Sequence, residues 1–293
     1  MRVCVLGAGA MGRALARRVL AGGHEVAIWN RTPERAREVV EAGARLAGSI
    51  ATAVEASDVV ISSLADDDAV REVALGPDGV RAALDAERGA RGPGSPTGPA
   101  TYADSSTISP SLSAELATVF DGFVAMPVLG GPESVRTGAA TYLVGGPEGA
   151  VDRLEPVLET LSDTRRRYPS APMASSAKLS CNLLLLDGVV ALAEAFTAAR
   201  AGGLSDEQLR ELFGASPLVA PALANRFEML LRGGGEGWWS VDLGRKDARL
   251  VVELAAGAGC ELPVTAAARR RYDEAAADGY ADADIAAVAR LYR

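Results

Sequence analysis

A short apolar run, Arg2–Leu6 (RVCVL), meets Gly7-Ala8-Gly9-Ala10-Met11-Gly12, and a helical pattern follows through Leu15, Val19 and Leu20. Strand, turn and helix must therefore form within about twenty residues, and each glycine answers a steric demand: Gly7 the tight turn, Gly9 a close approach of ligand to backbone, Gly12 the packing of helix on strand. After Gly22-Gly23, residues 24–29 (HEVAIW) read as a second strand, and Thr32-Pro33 as the N-cap and first position of the next helix. Two strands joined through one helix in about 30 residues make a complete βαβ unit.

A helix that starts on such a turn offers free N–H groups and the positive end of its dipole to a pyrophosphate, so residues 7–12 are the candidate cradle of a dinucleotide. The residue ending the second strand then selects between dinucleotides. A carboxylate there would accept the ribose hydroxyls of NAD; this chain has Asn30, followed by Arg31 and Thr32, a cation and a hydroxyl that suit a 2′-phosphate. NADP (NADPH) is the cofactor expected.

The alternation continues with helices near 33–42, 49–56 and 66–74, strands at 45–46, 59–64 and 101–104, later strands near 122–126 and 141–145, and a helix over Glu148–Leu161. Strands separated by helices predict an α/β unit, a Rossmann-type doubly wound parallel sheet covered on both faces. The Gly/Pro-rich residues 85–100 read as an irregular loop, and Arg165 to Pro169 as a solvated linker. Beyond it only helical periodicity remains: a long helix over 173–201, then helices near 205–213, 217–231, 240–258, 263–278 and 283–291. The expected division is 1–168, a cofactor-binding domain, and 169–293, an all-α substrate and dimerisation domain reached through the long helix. Leu183 to Leu186 point all round that helix, which predicts burial on every side and a homodimer.

Composition narrows the chemistry. Thirty basic against 38 acidic residues leave a net charge of −8, which argues against a nucleic-acid partner. No apolar run reaches the ~18 residues of a membrane span, because Asp187 and Glu194 interrupt the richest stretch; the chain opens on a strand rather than a signal peptide, and a cytoplasmic setting is expected. Three cysteines far apart indicate neither a disulfide framework nor a metal-ligand cluster, so no metal is expected. Of the 30 basic residues only Lys178 and Lys246 are lysine. Arginine stays protonated, whereas lysine can exchange a proton, and with a single histidine, His24, placed on a turn, lysine is the leading acid/base candidate. Lys178 and Asn182, four apart, share a helix face one turn apart.

Taken in order, Gly7 to Gly12, Gly23-His24-Glu25-Val26, Asn30-Arg31-Thr32, Asp104 to Pro110 (DSSTISP), Pro127 to Gly131 (PVLGG), Lys178 with Asn182, and Lys246-Asp247 resemble the β-hydroxyacid dehydrogenases, the group of 3-hydroxyisobutyrate dehydrogenases and glyoxylate or succinic semialdehyde reductases. The resemblance spans nearly the whole chain. It implies a nicotinamide-dependent oxidoreductase acting on a small carbonyl or hydroxy compound, NADP-dependent by the residues at 30–32, with Lys178 the acid/base and Asn182 a substrate-orienting partner. It also implies cofactor contacts from Lys246, Thr107, Leu64 and Ala65, and a substrate pocket of Leu129, Gly130, Gly131 and Trp239. Leu129 departs from the usual serine and makes that pocket less polar; Ala139, Cys181, Pro172 and Ala174 depart as well. Imine reductases are the sister group, sharing an Asn30-Arg31-Thr32-like segment but with aspartate or tyrosine in place of Lys178. A non-catalytic cofactor-binding scaffold is the alternative of another class.

Overall fold

Among the described residues nine strands carry the first part of the chain: β1 (Arg2–Leu6), β2 (Glu25–Trp29), β3 (Arg45–Leu46), β4 (Val59–Ser62), β5 (Thr101–Asp104), β6 (Val124–Ala125), β7 (Val128–Leu129), β8 (Thr141–Gly145) and β9 (Thr164–Tyr168). The computed structural model describes residues 1–55, 57–91 and 100–292. Among them the strands form one sheet in the order β3-β2-β1-β4-β5-β6-β8-β7, with β9 on β8. From β3 to β6 every pairing is parallel; β8 then runs antiparallel to β6 and β7.

Period-two alternation sends Val3 and Val5 of β1 to one core and Cys4 and Leu6 to the other. The first face packs Leu15 and Val19 of the helix Ala10–Ala21; the second packs Ile50, Val70 and Leu112. Strands β1 and β4 are covered on both faces and so carry the apolar runs VCVL and VVI, which is why they are legible in the sequence; β5 (TYAD) is as buried but mixes polar residues into its run.

Two readings of this unit are corrected. Residues 164–168 are not a linker but strand β9, pairing in parallel with β8 from Thr141↔Thr164 to Gly145↔Tyr168. Its arginines disguise it: Arg165 and Arg167 pair with Glu155, and Arg167 with Asp152, on the helix Glu148–Leu161, which suits a charged edge strand. The stretch read as irregular from residue 85 is helical over Val80–Arg91, since Val80, Ala83 and Leu84 bury one face and Arg81 pairs with Asp85 one turn on. The rest of that expected loop, 92–99, lies outside the described residues.

The chain divides into two compact units, Met1–Lys178 and Leu179–Arg293. The second is helical, and its core gathers Leu186, Val189, Phe196, Leu230, Tyr272 and Ile285. The expected helix at 217–231 is two short ones, Pro221–Ala224, which begins at Pro221, and Phe227–Arg232, with the break at Asn225-Arg226. The helix from Pro263 is regular to Ala275 and then widens around Gly279, at φ +87°.

The long helix spans Ala171–Ala201. By length and hydropathy (1.7 over its richest window) it could cross a bilayer, so Asp187 and Glu194 do not exclude a span on composition as expected; 44% of that window is buried within the protein itself. Of Leu183 to Leu186, the single chain encloses Leu186 and leaves Leu184 73% exposed.

Candidate functional site

The turn after β1 is built around its glycines. Gly7 sits at φ +110°, and a Cβ there would lie 2.3 Å from the Ser63 carbonyl oxygen. At Gly12 a Cβ would lie 2.1 Å from the oxygen of Gly7, so both positions exclude any side chain. Gly9 differs: a Cβ would meet nothing within 4 Å, and as N-cap of the helix Ala10–Ala21 it carries no side chain that occupies the first-turn N–H groups. An open glycine above uncapped helix N–H groups fits an incoming pyrophosphate. Ala8 is buried, and Ala10 and Met11 half-buried, behind it.

Asn30 ties this turn to the end of β2. Its Oδ1 accepts from Ala8 N–H at 2.9 Å, and its Nδ2 donates to the Thr32 carbonyl at 2.7 Å. Thr32 precedes Pro33 as expected, but its side chain makes no cap hydrogen bond. Arg31 is exposed, 3.6 Å from Glu72, which is exposed too.

A second locking device was missed in the sequence. Asp104, at the end of β5, is 1% exposed and accepts from the hydroxyls of Ser62 (2.6 Å) and Ser106 (2.8 Å) and from Ser106 N–H (3.2 Å). The Tyr102 hydroxyl lies 2.9 Å from Ser62, and Leu64 N–H donates to the Ser106 hydroxyl at 2.8 Å. One buried carboxylate thus joins the loops after β4 and β5, bringing Leu64 and the exposed Ala65 to the same sheet end as Thr107. A polar residue closing an otherwise buried apolar strand was the available signal. In doubly wound sheets these strand ends are where ligands bind.

Burial pushes the Asp104 carboxyl up to about 6 despite its donors. The folded state therefore holds this proton more tightly than the unfolded chain, and the stability it contributes is full below about pH 4 and is lost as pH rises through 6. In urea unfolding from pH 4 to 7, the stability of wild type relative to Asp104→Asn should fall by ~2 kcal/mol. A constant difference across that range would show that Asp104 does not titrate as placed.

Lys178 and Asn182 lie one turn apart on the long helix, Lys178 half-buried and Asn182 only 5% exposed. In the second unit, Asn182 Nδ2 donates to Asp247 Oδ2 at 2.7 Å, and the Lys246 ammonium is 2.7 Å from Asp247 Oδ1. The latter contact is an ion pair by distance, outside hydrogen-bond alignment. Asn182 and Lys246 are thereby brought together through Asp247.

Leu129 and Gly130 leave β7 beside the edge of the sheet, Leu129 half-buried and Gly130 exposed at φ +136°; Gly131 opens the helix Pro132–Thr137. Trp239 is 6% exposed within the second unit's core, its ring stacked on Trp238 at 5.9 Å. His24 hydrogen-bonds Thr160 and the N-terminus. Among the described residues no group of three or more His, Cys, Asp or Glu is placed to hold a metal ion.

Comparison with known proteins agrees with this layout. Residues 2–168 match the NAD binding domain of 6-phosphogluconate dehydrogenase, and residues 173–292 the NAD-binding domain of NADP-dependent 3-hydroxyisobutyrate dehydrogenase. An uncharacterised oxidoreductase of Bacillus subtilis, YfjR, is 32% identical over the full length of both chains. The 2-(hydroxymethyl)glutarate dehydrogenase of Eubacterium barkeri is 27% identical over 100% of this chain and 95% of its own. Among solved structures, Mycobacterium tuberculosis 3-hydroxyisobutyrate dehydrogenase, with L-serine, superposes at a TM-score of 0.81 with 27% identity, covering 100% and 99% of the two chains. An imine reductase from Pseudomonas sp. shares the fold at a TM-score of 0.59 and 23% identity, over 100% and 99%. With its two halves matched in order and a full-length relative above 30% identity, the chain belongs to the β-hydroxyacid dehydrogenase family of nicotinamide-dependent oxidoreductases.

Proposed function

We propose that the protein is an NADP-dependent oxidoreductase acting between a hydroxy compound and its carbonyl form, with Lys178 as acid/base. The observation that carries this reading is the one-turn spacing of Lys178 and Asn182 on the long helix, in a chain that holds only two lysines. The cofactor, when bound, supplies or accepts hydride. Lys178 delivers or receives the proton at the substrate oxygen, and its charge stabilises developing alkoxide there, while the Asn182 amide orients the same oxygen. Residues 1–168 bind the cofactor through the glycine turn, Asn30, Arg31, Thr32, Leu64, Ala65 and Thr107, and Lys246 is a further cofactor-binding residue.

The substrate is a small molecule. Gly130 and Gly131 offer backbone N–H groups to a carboxylate, and Trp239 is a candidate wall. Leu129 replaces a hydroxyl donor with apolar surface, which favours a larger, less polar carbonyl compound over a small doubly charged acid. The working form is a cytoplasmic homodimer, supported by the 73% exposure of Leu184 in the single chain.

Fluorescence titration should give a lower Kd for NADPH than for NADH. Arg31→Ala should weaken NADPH by ~1.5–3 kcal/mol, roughly 10- to 100-fold, because a charge-assisted phosphate contact is lost. The exposed pairing with Glu72 is worth at most ~1 kcal/mol and is readily exchanged for phosphate. Equal wild-type affinity for both cofactors would refute the preference. Turnover across hydroxy acids, apolar aldehydes and cyclic imines tests the rest: reduction of imines alone would move the assignment to an imine reductase, and tight NADPH binding without turnover to a scaffold.

A further inference from the structure

Asp247 is 3% exposed, yet its carboxylate is not needed to fill space; an apolar side chain would pack in the second unit at lower desolvation cost. What it does is constrain an amide. Asn182 presents N–H groups on one edge and an oxygen on the other, and a free amide interchanges them by a half-turn about its last bond. With one Nδ2–H donated to Asp247 Oδ2 at 2.7 Å, that turn would set the Asn182 oxygen against the carboxylate oxygen, so one orientation is enforced. Lys246, 2.7 Å from the other carboxylate oxygen, offsets the buried charge and holds the carboxylate in turn. The three residues come from two helices, and Asn182 and Asp247 are 65 positions apart.

We infer that Asp247 is a positioning residue: it fixes the direction of the Asn182 oxygen and remaining N–H, and thereby the alignment of the substrate oxygen, without touching substrate. This rests on the proposed role of Asn182. A mere packing role would affect stability and leave the chemical step alone, whereas a positioning role lowers kcat in a protein that still folds and binds cofactor. Asp247→Asn replaces the carboxylate with an amide that can meet Asn182 in either orientation, so the direction is no longer enforced.

The test uses the full chain, NADPH titration, thermal unfolding, and steady-state kinetics with the best substrate of the panel above. Asp247→Asn is expected to lower kcat at least ~10-fold, with NADPH Kd within about twofold and little change in KM, since misalignment acts on the reacting geometry. Asp247→Glu, which keeps the carboxylate on a longer arm, is expected to recover part of that loss. Unchanged kcat in folded Asp247→Asn, or a loss that follows the melting temperature with no recovery in Asp247→Glu, would overturn the proposal. If Asp247→Asn does not fold, Asp247→Glu decides alone: reduced kcat at unchanged NADPH affinity supports positioning, and wild-type kcat refutes it. Asn182→Ala separates the two levels. Should it keep wild-type turnover, the role of Asn182 itself is wrong and the proposal falls with it; should it lose turnover while Asp247→Asn keeps it, only the positioning proposal fails.

Discussion

Lys178→Met is expected to fold, to bind NADPH with an affinity close to wild type, and to lose turnover by ~10² to 10⁴-fold, the usual contribution of a positioned general acid or base. Methionine keeps the unbranched stem, so the packing of the long helix is preserved while the ammonium is gone. Lys178→Arg should fail nearly as badly: the guanidinium keeps the charge but does not release its proton at working pH, and its planar fork does not superpose on an ammonium. Single-turnover absorbance of NADPH oxidation reads both variants directly. Wild-type kcat in Lys178→Met would remove Lys178 from the chemistry and, with it, the central element of the proposed function.

The largest stability effect should come from a residue far along the chain. Arg226 is 2% exposed and meets Asp284, 1% exposed, through Nε to Oδ1 at 2.9 Å and Nη2 to Oδ2 at 3.2 Å. Its guanidinium also lies 5.4 and 5.8 Å from the ring centres of Trp238 and Trp239. Asp284 accepts in addition from Ala286 N–H, so the pair ties the last helical segment to the body of the second unit. Arg226→Met leaves that carboxylate buried with its charge unmatched, and urea unfolding should show a loss of ~3–5 kcal/mol. Adding Asp284→Asn should recover much of it, because the uncompensated charge is then gone. A loss below about 1 kcal/mol would mean that water reaches Asp284 when Arg226 is absent.

These residues differ in how far the sequence discloses them. Arg226 and Asp284 stand 58 positions apart with nothing local to join them, and the tandem tryptophans beside them read equally as pocket or core. Strand β9 was masked because the pattern TRRRY is that of a solvated segment; only the pairing with β8 and the acidic residues of Glu148–Leu161 make it a strand. The leucines of the long helix predict burial on every side with a second subunit covering what one chain leaves open, and which of them the single chain itself encloses, Leu186 and not Leu184, depends on the neighbours that the fold delivers. Gly12 is legible because a Cβ there would meet the oxygen of Gly7 within the same short turn, whereas the neighbour that closes on Gly7, the Ser63 carbonyl, is delivered only by the fold.

By itself, then, the sequence determined what is local: the βαβ unit, its glycines, the absence of a carboxylate at the end of β2, and the one-turn relation of Lys178 to Asn182. Spacing and sterics act within a few residues, and a helix or strand period converts them into geometry directly. Only the tertiary structure decided that Asp104 gathers Ser62 and Ser106, that Asp247 holds Asn182, and that Arg226 matches Asp284. Each is a buried carboxylate whose partners lie on other elements, mostly tens of residues away. Such a group is tolerated only where the fold delivers donors to it, so its role exists only once the chain has packed.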